Sequence, residues 1–461
     1  MARTHQFHAT VLREYDVRGV VGDTLSTDDA YAVGRAFASI VARGGGGRVS
    51  VGYDGRLSSP ELEAAVVAGV RDAGLTAVRV GLGPTPMLYF SVWHLETDGG
   101  IMITGSHNPP DYNGFKMMLG HSAFHGEQVQ ELGRIAAAGD WSEGAGADES
   151  HDIRQAYIER LARDYTADKG LKVAWDCGNG AAGAVLGDLL KLLPGEHLAL
   201  NDEVDGTFPV HHPDPTVEKN LAQLKQAVAD GGLDCGIGFD GDGDRIGIVD
   251  GKGRVVWGDQ ILALLGRDVL SRNPGATIIA DVKASQVLFD EIAKAGGEPV
   301  MWKTGHSLIK SRMAEVGSPL AGEMSGHIFF GEKFYGFDDA IYVAIRFLDV
   351  AARSGRTVAE LYDSLPQMVN TPEVRFDCAD ERKFAVVDEV KAALAKTDAR
   401  VNDIDGVRVT TDDGWWLLRA SNTQPVLVVR CESATSDGLA RLKAAVTGAL
   451  APAGVSPPAD F

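Results

Sequence analysis

The sequence predicts an α/β fold: three similar α/β domains followed by one α+β domain. Three observations carry this. The chain has 461 residues, more than one hydrophobic core supports, so it divides into several domains. A pattern of short apolar strand, polar loop, amphipathic helix, glycine and second apolar strand occurs three times. After about Gln367 the pattern changes to apolar segments followed by a helix.

The first copy runs from Arg48-Val49-Ser50-Val51 through Ser59-Pro60-Glu61 to Ala77-Val78-Arg79-Val80. In its helix Ser59 suits the N-cap, Pro60 the first helical position and Glu61 the positive helix end. Leu62, Val66 and Val70 recur at helical spacing and predict one buried stripe, which Gly74 can end. The second copy starts at Leu171-Lys172-Val173-Ala174-Trp175 and ends near Leu200. The third runs from Thr277-Ile278-Ile279-Ala280 to Pro299-Val300-Met301-Trp302. Such units imply parallel strand pairs with right-handed crossovers. The last stretch offers Trp415-Trp416-Leu417-Leu418, Val426-Leu427-Val428-Val429 and a helix from about Ser436, an α+β order. Breaks at 139–150, 251–253 and 365–368 give expected domains of 1–151, 152–254, 255–366 and 367–461.

Hydrophobic residues are 44% and charged residues 23%, ordinary for a globular protein. A formal net charge of -20 argues against nucleic-acid or anionic-membrane partners. An anionic substrate then needs Lys and Arg gathered locally. Cys177, Cys235, Cys378 and Cys431 lack metal-ligand spacing and read as reduced thiols. MARTHQFHAT has no signal-peptide core, and no apolar run reaches the roughly 18 residues of a membrane span. The expectation is a cytoplasmic, soluble chain.

The sharpest chemical motif is Gly238-Phe239-Asp240-Gly241-Asp242-Gly243-Asp244-Arg245, followed by Ile246-Gly247-Ile248-Val249. Apolar flanks put the acids on a tight turn between strands. Three adjacent carboxylates repel unless a cation sits among them, and the glycines let the backbone fold tightly enough for them to converge. Hard oxygens suit Mg²⁺ or Ca²⁺, with Mg²⁺ usual beside phosphate. An EF-hand needs Gly sixth and Glu twelfth; here those positions hold Arg245 and Gly251.

Second is Thr104-Gly105-Ser106-His107-Asn108-Pro109-Pro110 after the strand Ile101-Met102-Ile103, with Asp111 to Lys116 beyond. Ser106 is placed as a nucleophile or phosphoryl carrier, and the missing second glycine excludes a hydrolase elbow. Third, Arg419-Ala420-Ser421-Asn422-Thr423-Gln424-Pro425 offers a guanidinium, short donors and loop amides, a phosphate cradle. Fourth, Gly322-Glu323-Met324-Ser325-Gly326-His327 alternates acid, hydroxyl and imidazole; an extended segment points all three one way, which suits gripping sugar hydroxyls and equally suits an edge strand with polar residues facing water. Arg18 and the stretch Lys303-Thr304-Gly305-His306-Ser307 add basic groups that read equally as surface ion pairs. Gly178-Asn179-Gly180-Ala181-Ala182-Gly183, with Asp202 and Glu203 beyond, fits a dinucleotide fingerprint. A dehydrogenase leaves the other motifs unexplained, so these glycines read as close strand–helix packing.

Taken in order, Glu14–Gly19, Thr104–Pro109, Phe239–Arg245, Gly322–His327 and Arg419–Thr423 resemble the α-D-phosphohexomutase family, particularly its bacterial phosphomannomutase/phosphoglucomutase branch. The resemblance covers nearly the whole chain and departs from the family pattern only slightly, at Val17 and Gln424. It implies four domains, the first three alike and with mixed sheets, around a deep cleft, in a monomer. It implies that Ser106 carries a phosphoryl group, with Asp240, Asp242 and Asp244 holding one Mg²⁺ beside it. Glu323, Ser325 and His327 would bind the sugar, and Arg419, Ser421, Asn422 and Thr423 the non-reacting phosphate. Tyr15, His107, Arg245 and Lys283 complete the implied substrate contacts. Met324 resembles the glucose/mannose branch, whereas glucosamine-specific relatives tend to carry Gln there.

The reaction so implied interconverts hexose 1- and 6-phosphates through a 1,6-bisphosphate, glucose 1,6-bisphosphate being also an activator. Phosphoserine brings about −1.5 to −2 charges to three aspartates, so Arg245, Lys116 and Arg18 are needed to admit an anionic sugar. Lys116 is the first choice to deprotonate the attacking hydroxyl, with Arg18 and His306 as helpers. A phosphoglucosamine mutase, a nicotinamide-dependent oxidoreductase and a non-catalytic sugar-phosphate sensor are the alternatives.

Overall fold

The computed structural model describes residues 4–422, 424–458 and 461. Its strands form four sheets, and the first three share one four-stranded core. In the first, Arg48–Tyr53 pairs parallel with Thr76–Leu82 on one side and Gly99–Ile103 on the other; Gly99–Ile103 then pairs antiparallel with Tyr112–Leu119. In the second, the same places belong to Leu171–Asp176, Gly195–Leu200, Cys235–Phe239 and Ile246–Asp250. In the third they belong to Thr277–Asp281, Glu298–Trp302, Leu320–Gly322 and Ile328–Phe330. The expected parallel pairs are present in all three copies. The antiparallel fourth strand makes the sheets mixed, and the repeat pattern conceals it because a hairpin has no helix to mark it.

That hairpin positions the chemistry. Its loop holds the 104–111 segment in the first copy, 240–245 in the second and 323–327 in the third. In the fourth sheet Gly414–Ala420 pairs antiparallel with Val426–Ser433, and the loop between them begins at Ser421. Short polar loops at strand ends are where rigid scaffolds present functional groups.

The helix Ser59–Asp72 buries Leu62, Val66 and Val70 as its spacing predicts. Its N-cap is Ser58, not Ser59. Ser59 instead donates its hydroxyl to Asp54 Oδ1 at 2.6 Å, because a buried carboxylate needs that donor more than a helix start relieved by proline does. Asp148–Ser150 adds an edge strand to the first sheet, and Val255–Val256 extends the second.

One apolar cluster runs through the first three copies, from Val80 to Leu365, while the C-terminal unit has its own. Val282 packed on Trp415 and Leu417 joins the two. All four cysteines are free and buried, and burial pushes their thiols up, away from thiolate chemistry. Among the described residues no helix is long and apolar enough to cross a membrane.

Candidate active site

The four hairpin loops converge on one polar cleft of about 210 Å³. A larger cavity of about 630 Å³ opens elsewhere, between Trp93 and Phe337, but its walls are mostly aromatic and aliphatic. The polar cleft gathers Arg18, Lys116, Arg245, Lys283, Arg375 and Arg419. A chain of strongly negative net charge thus keeps a local cationic basin.

At its floor, Ser106 sits at φ +49°, a left-handed backbone rare for a residue with a side chain. Its Oγ donates to Asp240 Oδ2 at 2.9 Å and lies 3.2 Å from His107 Nδ1. The serine loop and the acidic turn, 134 positions apart, therefore meet directly. Burial and the adjacent Asp242 and Asp244 push the Asp240 carboxyl well up. Burial would do the same to Asp242, but the Lys116 ammonium, 2.7 Å away, outweighs it and holds that carboxyl low. Lys116 also pairs with Asp244.

The donor set fits a hard cation. Asp240, Asp242 and Asp244 each offer an oxygen within 4.8 Å of the others. Asp242 Oδ1 and Asp244 Oδ1 are buried without a hydrogen-bond partner. Orphaned acceptors at that density call for positive charge. Thr85, which the sequence did not flag, supports the turn: its hydroxyl donates to Asp242 Oδ2 at 2.5 Å and its amide to Asp242 O at 2.8 Å. The glycine-rich 178–183 segment also serves this turn, since Ala181 N donates to Gly241 O at 2.9 Å.

The sugar-loop candidates come together by a turn, not by alternation along an extended strand. Gly326, at φ +91°, donates its amide to Glu323 O at 3.0 Å and folds the loop back. Glu323 accepts from Gly305 N at 2.7 Å, and Ser325 and His327 line the cleft. Met324 Sδ lies 2.6 Å from Arg430 Nη1 and is not among the cleft-lining side chains.

Arg245 Nε donates to His327 Nε2 at 2.9 Å, so neutral His327 carries its proton on Nδ1, facing Asp338 Oδ2 at 3.2 Å. His306 Nδ1 faces the same oxygen at 3.3 Å, and the two imidazoles stack with centroids 5.2 Å apart. Burial and the nearby Lys310 push His306 down, keeping it neutral. Burial alone would raise Asp338; Lys310, 2.8 Å away, outweighs it and holds that carboxyl well below the usual range. Asp338 lies in no motif read from the sequence. Its only signal there is an acidic pair just before the helix Ala340–Ser354.

At the far end, Arg419 Nε donates to Asp405 Oδ2 at 3.1 Å, and Asp405 Oδ2 also accepts from Thr304 N at 3.0 Å. Asn422 Nδ2 donates to Tyr15 Oη at 2.7 Å, and Tyr15 donates to Thr304 O at 2.9 Å. Burial pushes the Tyr15 hydroxyl up to about 12. Ser421 and Lys283 line this end, Lys283 paired with Glu373 at 2.9 Å. Arg375, unflagged by sequence, reaches Gln424 Oε1 at 2.9 Å. Thr423 lies outside the described residues. Arg18 donates to Thr104 O at 3.1 Å and pairs with Asp16.

Comparison with known proteins agrees with this architecture. Residues 9–142, 155–253, 257–369 and 373–449 match, in order, alpha/beta/alpha domains I, II and III and the C-terminal domain of phosphoglucomutase/phosphomannomutase. The chain is 44% identical over 460 residues to the phosphomannomutase/phosphoglucomutase of Pseudomonas aeruginosa, covering 100% of this chain and 99% of that protein. It is 44% identical over 437 residues to the phosphoglucomutase of Neisseria gonorrhoeae, covering 94% and 95%. A crystal structure of a phosphoglucomutase/phosphomannomutase family protein from Burkholderia thailandensis superposes with a TM-score of 0.93 at 42% identity, over 98% of this chain and 99% of that one.

Proposed function

The chain belongs to the phosphoglucomutase/phosphomannomutase family, and on that premise we propose that it moves a phosphoryl group between O1 and O6 of glucose and mannose phosphates by way of Ser106. The observation that carries this is the 2.9 Å contact of Ser106 Oγ with Asp240 across two domains, beneath a cleft ringed by cations. We propose domain limits of 1–151, 152–254, 255–366 and 367–461, a monomer, and a cytoplasmic setting.

Asp240, Asp242 and Asp244, with the Ser106 phosphate, would hold Mg²⁺. When bound, that ion supplies positive charge offsetting the charge on the transferring phosphoryl oxygens. The chain's own groups do the rest. Arg245, Lys116 and Arg18 offset the remaining negative charge and admit the substrate. Arg419, Ser421, Asn422 and Thr423, aided by Lys283, grip the non-reacting phosphate, while Glu323, Ser325, Tyr15 and His107 orient the sugar.

The substrate hydroxyl oxygen attacks phosphorus; its new P–O bond forms as the P–Oγ bond of Ser106 breaks. One proton leaves the hydroxyl and one is returned to Oγ, so charge balances. The reading favours His306 as its carrier, since the Nε2 lone pair of His327 already receives Arg245. Lys116, the first choice from sequence, is an ammonium held between two carboxylates and has no lone pair to offer; its role is charge compensation. Arg18 is a guanidinium paired with Asp16 and acts likewise. The resulting 1,6-bisphosphate, glucose 1,6-bisphosphate for a glucose substrate, turns end over end and returns its other phosphate to Ser106. A distal cradle that accepts either phosphate makes this turn productive.

Ser106→Ala tests the reading. With Mg²⁺ and glucose 1,6-bisphosphate present, it should lose nearly all conversion of glucose 1-phosphate and mannose 1-phosphate, and the phosphoryl mass increment should vanish from the intact protein. Wild-type turnover in this variant would end it, and faster wild-type turnover of glucosamine 1-phosphate would move the substrate assignment.

A further inference from the structure

We infer that Arg56 is a positioning residue for phosphoryl transfer: its buried guanidinium holds the Ser106 loop in the backbone arrangement that aims Oγ at the acidic turn. The inference rests on the Ser106 reading above. Residues 104–111 leave the sheet ladder, so their inward carbonyls need donors from elsewhere. Ser106 adds a left-handed backbone, a conformation that persists only when its surroundings over-determine it.

Arg56 supplies that determination. Nη2 donates to Ser106 O at 2.8 Å and Asn108 O at 2.6 Å, while Nη1 donates to Pro109 O at 2.5 Å and Tyr112 O at 2.9 Å. One planar fork thus takes three carbonyls of the loop and that of Tyr112, the first residue of the strand after it, a geometry a lysine cannot reproduce. Asp54 pins the other side: it lies 3.3 Å from Arg56 Nε and accepts from Gly105 N at 3.1 Å. Gly105 lies so close over the guanidinium that a Cβ there would overlap it, so the loop can rest on Arg56 only as glycine.

Two features separate this from an ordinary buried ion pair. The first is what is left over. Arg56 takes the Ser106 carbonyl and Thr104 Oγ1 takes its amide at 2.8 Å, which leaves Oγ to meet Asp240. The second is the roof. Phe208, from the domain that carries the acids, covers the guanidinium with its ring centroid 5.1 Å from Cζ. The clamp therefore ties the serine loop to the acidic domain as well as to its own.

Arg56→Lys in the Mg²⁺-loaded full chain is the test. A misplacement near 1 Å costs about 100-fold in rate, so kcat should fall by about that factor while KM stays within about three-fold. Amide hydrogen exchange should quicken over 104–112 and nowhere else. Arg56→Ala should regain at least about ten-fold of its lost activity in millimolar guanidinium, and none in tetramethylammonium, because only the planar donor rebuilds the four contacts. Wild-type kcat in Arg56→Lys overturns the inference. So does exchange quickening across the whole first domain, which marks a merely structural role. An inactive wild type with every hexose phosphate would fell the mutase reading, while the exchange pattern would still decide for or against the clamp.

Discussion

Gly258→Ala is a small perturbation with a calculable consequence at the sugar loop. Gly258 opens the helix Gly258–Arg272 and is packed beneath residues 323–326. A Cβ built there would lie 2.7 Å from Glu323 O, 2.8 Å from Met324 O and 2.8 Å from Gly326 N. These neighbours are backbone and cannot swing aside. Real Cβ contacts begin at 3.0 Å and become comfortable at 3.4 Å, so the loop must retreat by about 0.3 to 0.7 Å, the differences from 2.7 Å. Scaling the roughly 100-fold cost of a 1 Å misplacement logarithmically gives a fall in kcat/KM of about 4- to 25-fold for glucose 1-phosphate. Ser106 lies on another loop, so its phosphorylation by glucose 1,6-bisphosphate, read by intact mass, should stay at the wild-type level. Gly187→Ala is the control, since a Cβ there meets nothing within 4 Å. Wild-type kcat/KM in a folded Gly258→Ala protein would refute the reasoning, for it would mean that Glu323, Ser325 and His327 need no fixed placement.

Further expectations concern the floor, the imidazoles and the far end. Lys116→Met leaves Asp242 and Asp244 buried without their ammonium, so unfolding free energy in EDTA should drop by about 3–5 kcal/mol. Saturating Mg²⁺ should recover more stability in the variant than in wild type; denaturation curves with and without metal check this, and equal gains would contradict it. Burial and Lys310 hold His306 below its ordinary 6.5, so the ring stays neutral as pH falls through 6.5 and protonates only lower. The acid limb of kcat should therefore lie below 6.5, and a pH–rate profile turning at or above that value would exclude His306 as a proton acceptor. Tyr15→Phe removes the hydroxyl that receives Asn422 and reaches Thr304, and at about 1 kcal/mol for each of these two hydrogen bonds KM should rise by about 30-fold with kcat little changed; steady-state kinetics decide.

The sequence alone determined the chemistry-bearing residue types, their order and the fold class, because these are local properties. Strand, helix and turn preferences act over a few residues, and Asp240–Asp244 are close in space because they are close in the chain. The tight acidic turn between strands was legible for that reason, as were the buried stripe of Leu62, Val66 and Val70 and the parallel pairs of all three copies. Only the tertiary structure decided what depends on distant partners. The ammonium of Lys116 lies between two carboxylates from another domain, a pairing that no local pattern announces. Alternation at 323–327 suggested an extended strand, whereas Gly326 turns the loop back. Asp338 and Arg56 belong to no motif, since their importance lies in what they touch: two imidazoles in one case, four carbonyls in the other. The hairpin equivalence of the four loops was also hidden, because strand order is fixed by hydrogen bonds between segments tens of residues apart, and those bonds leave no period in the sequence.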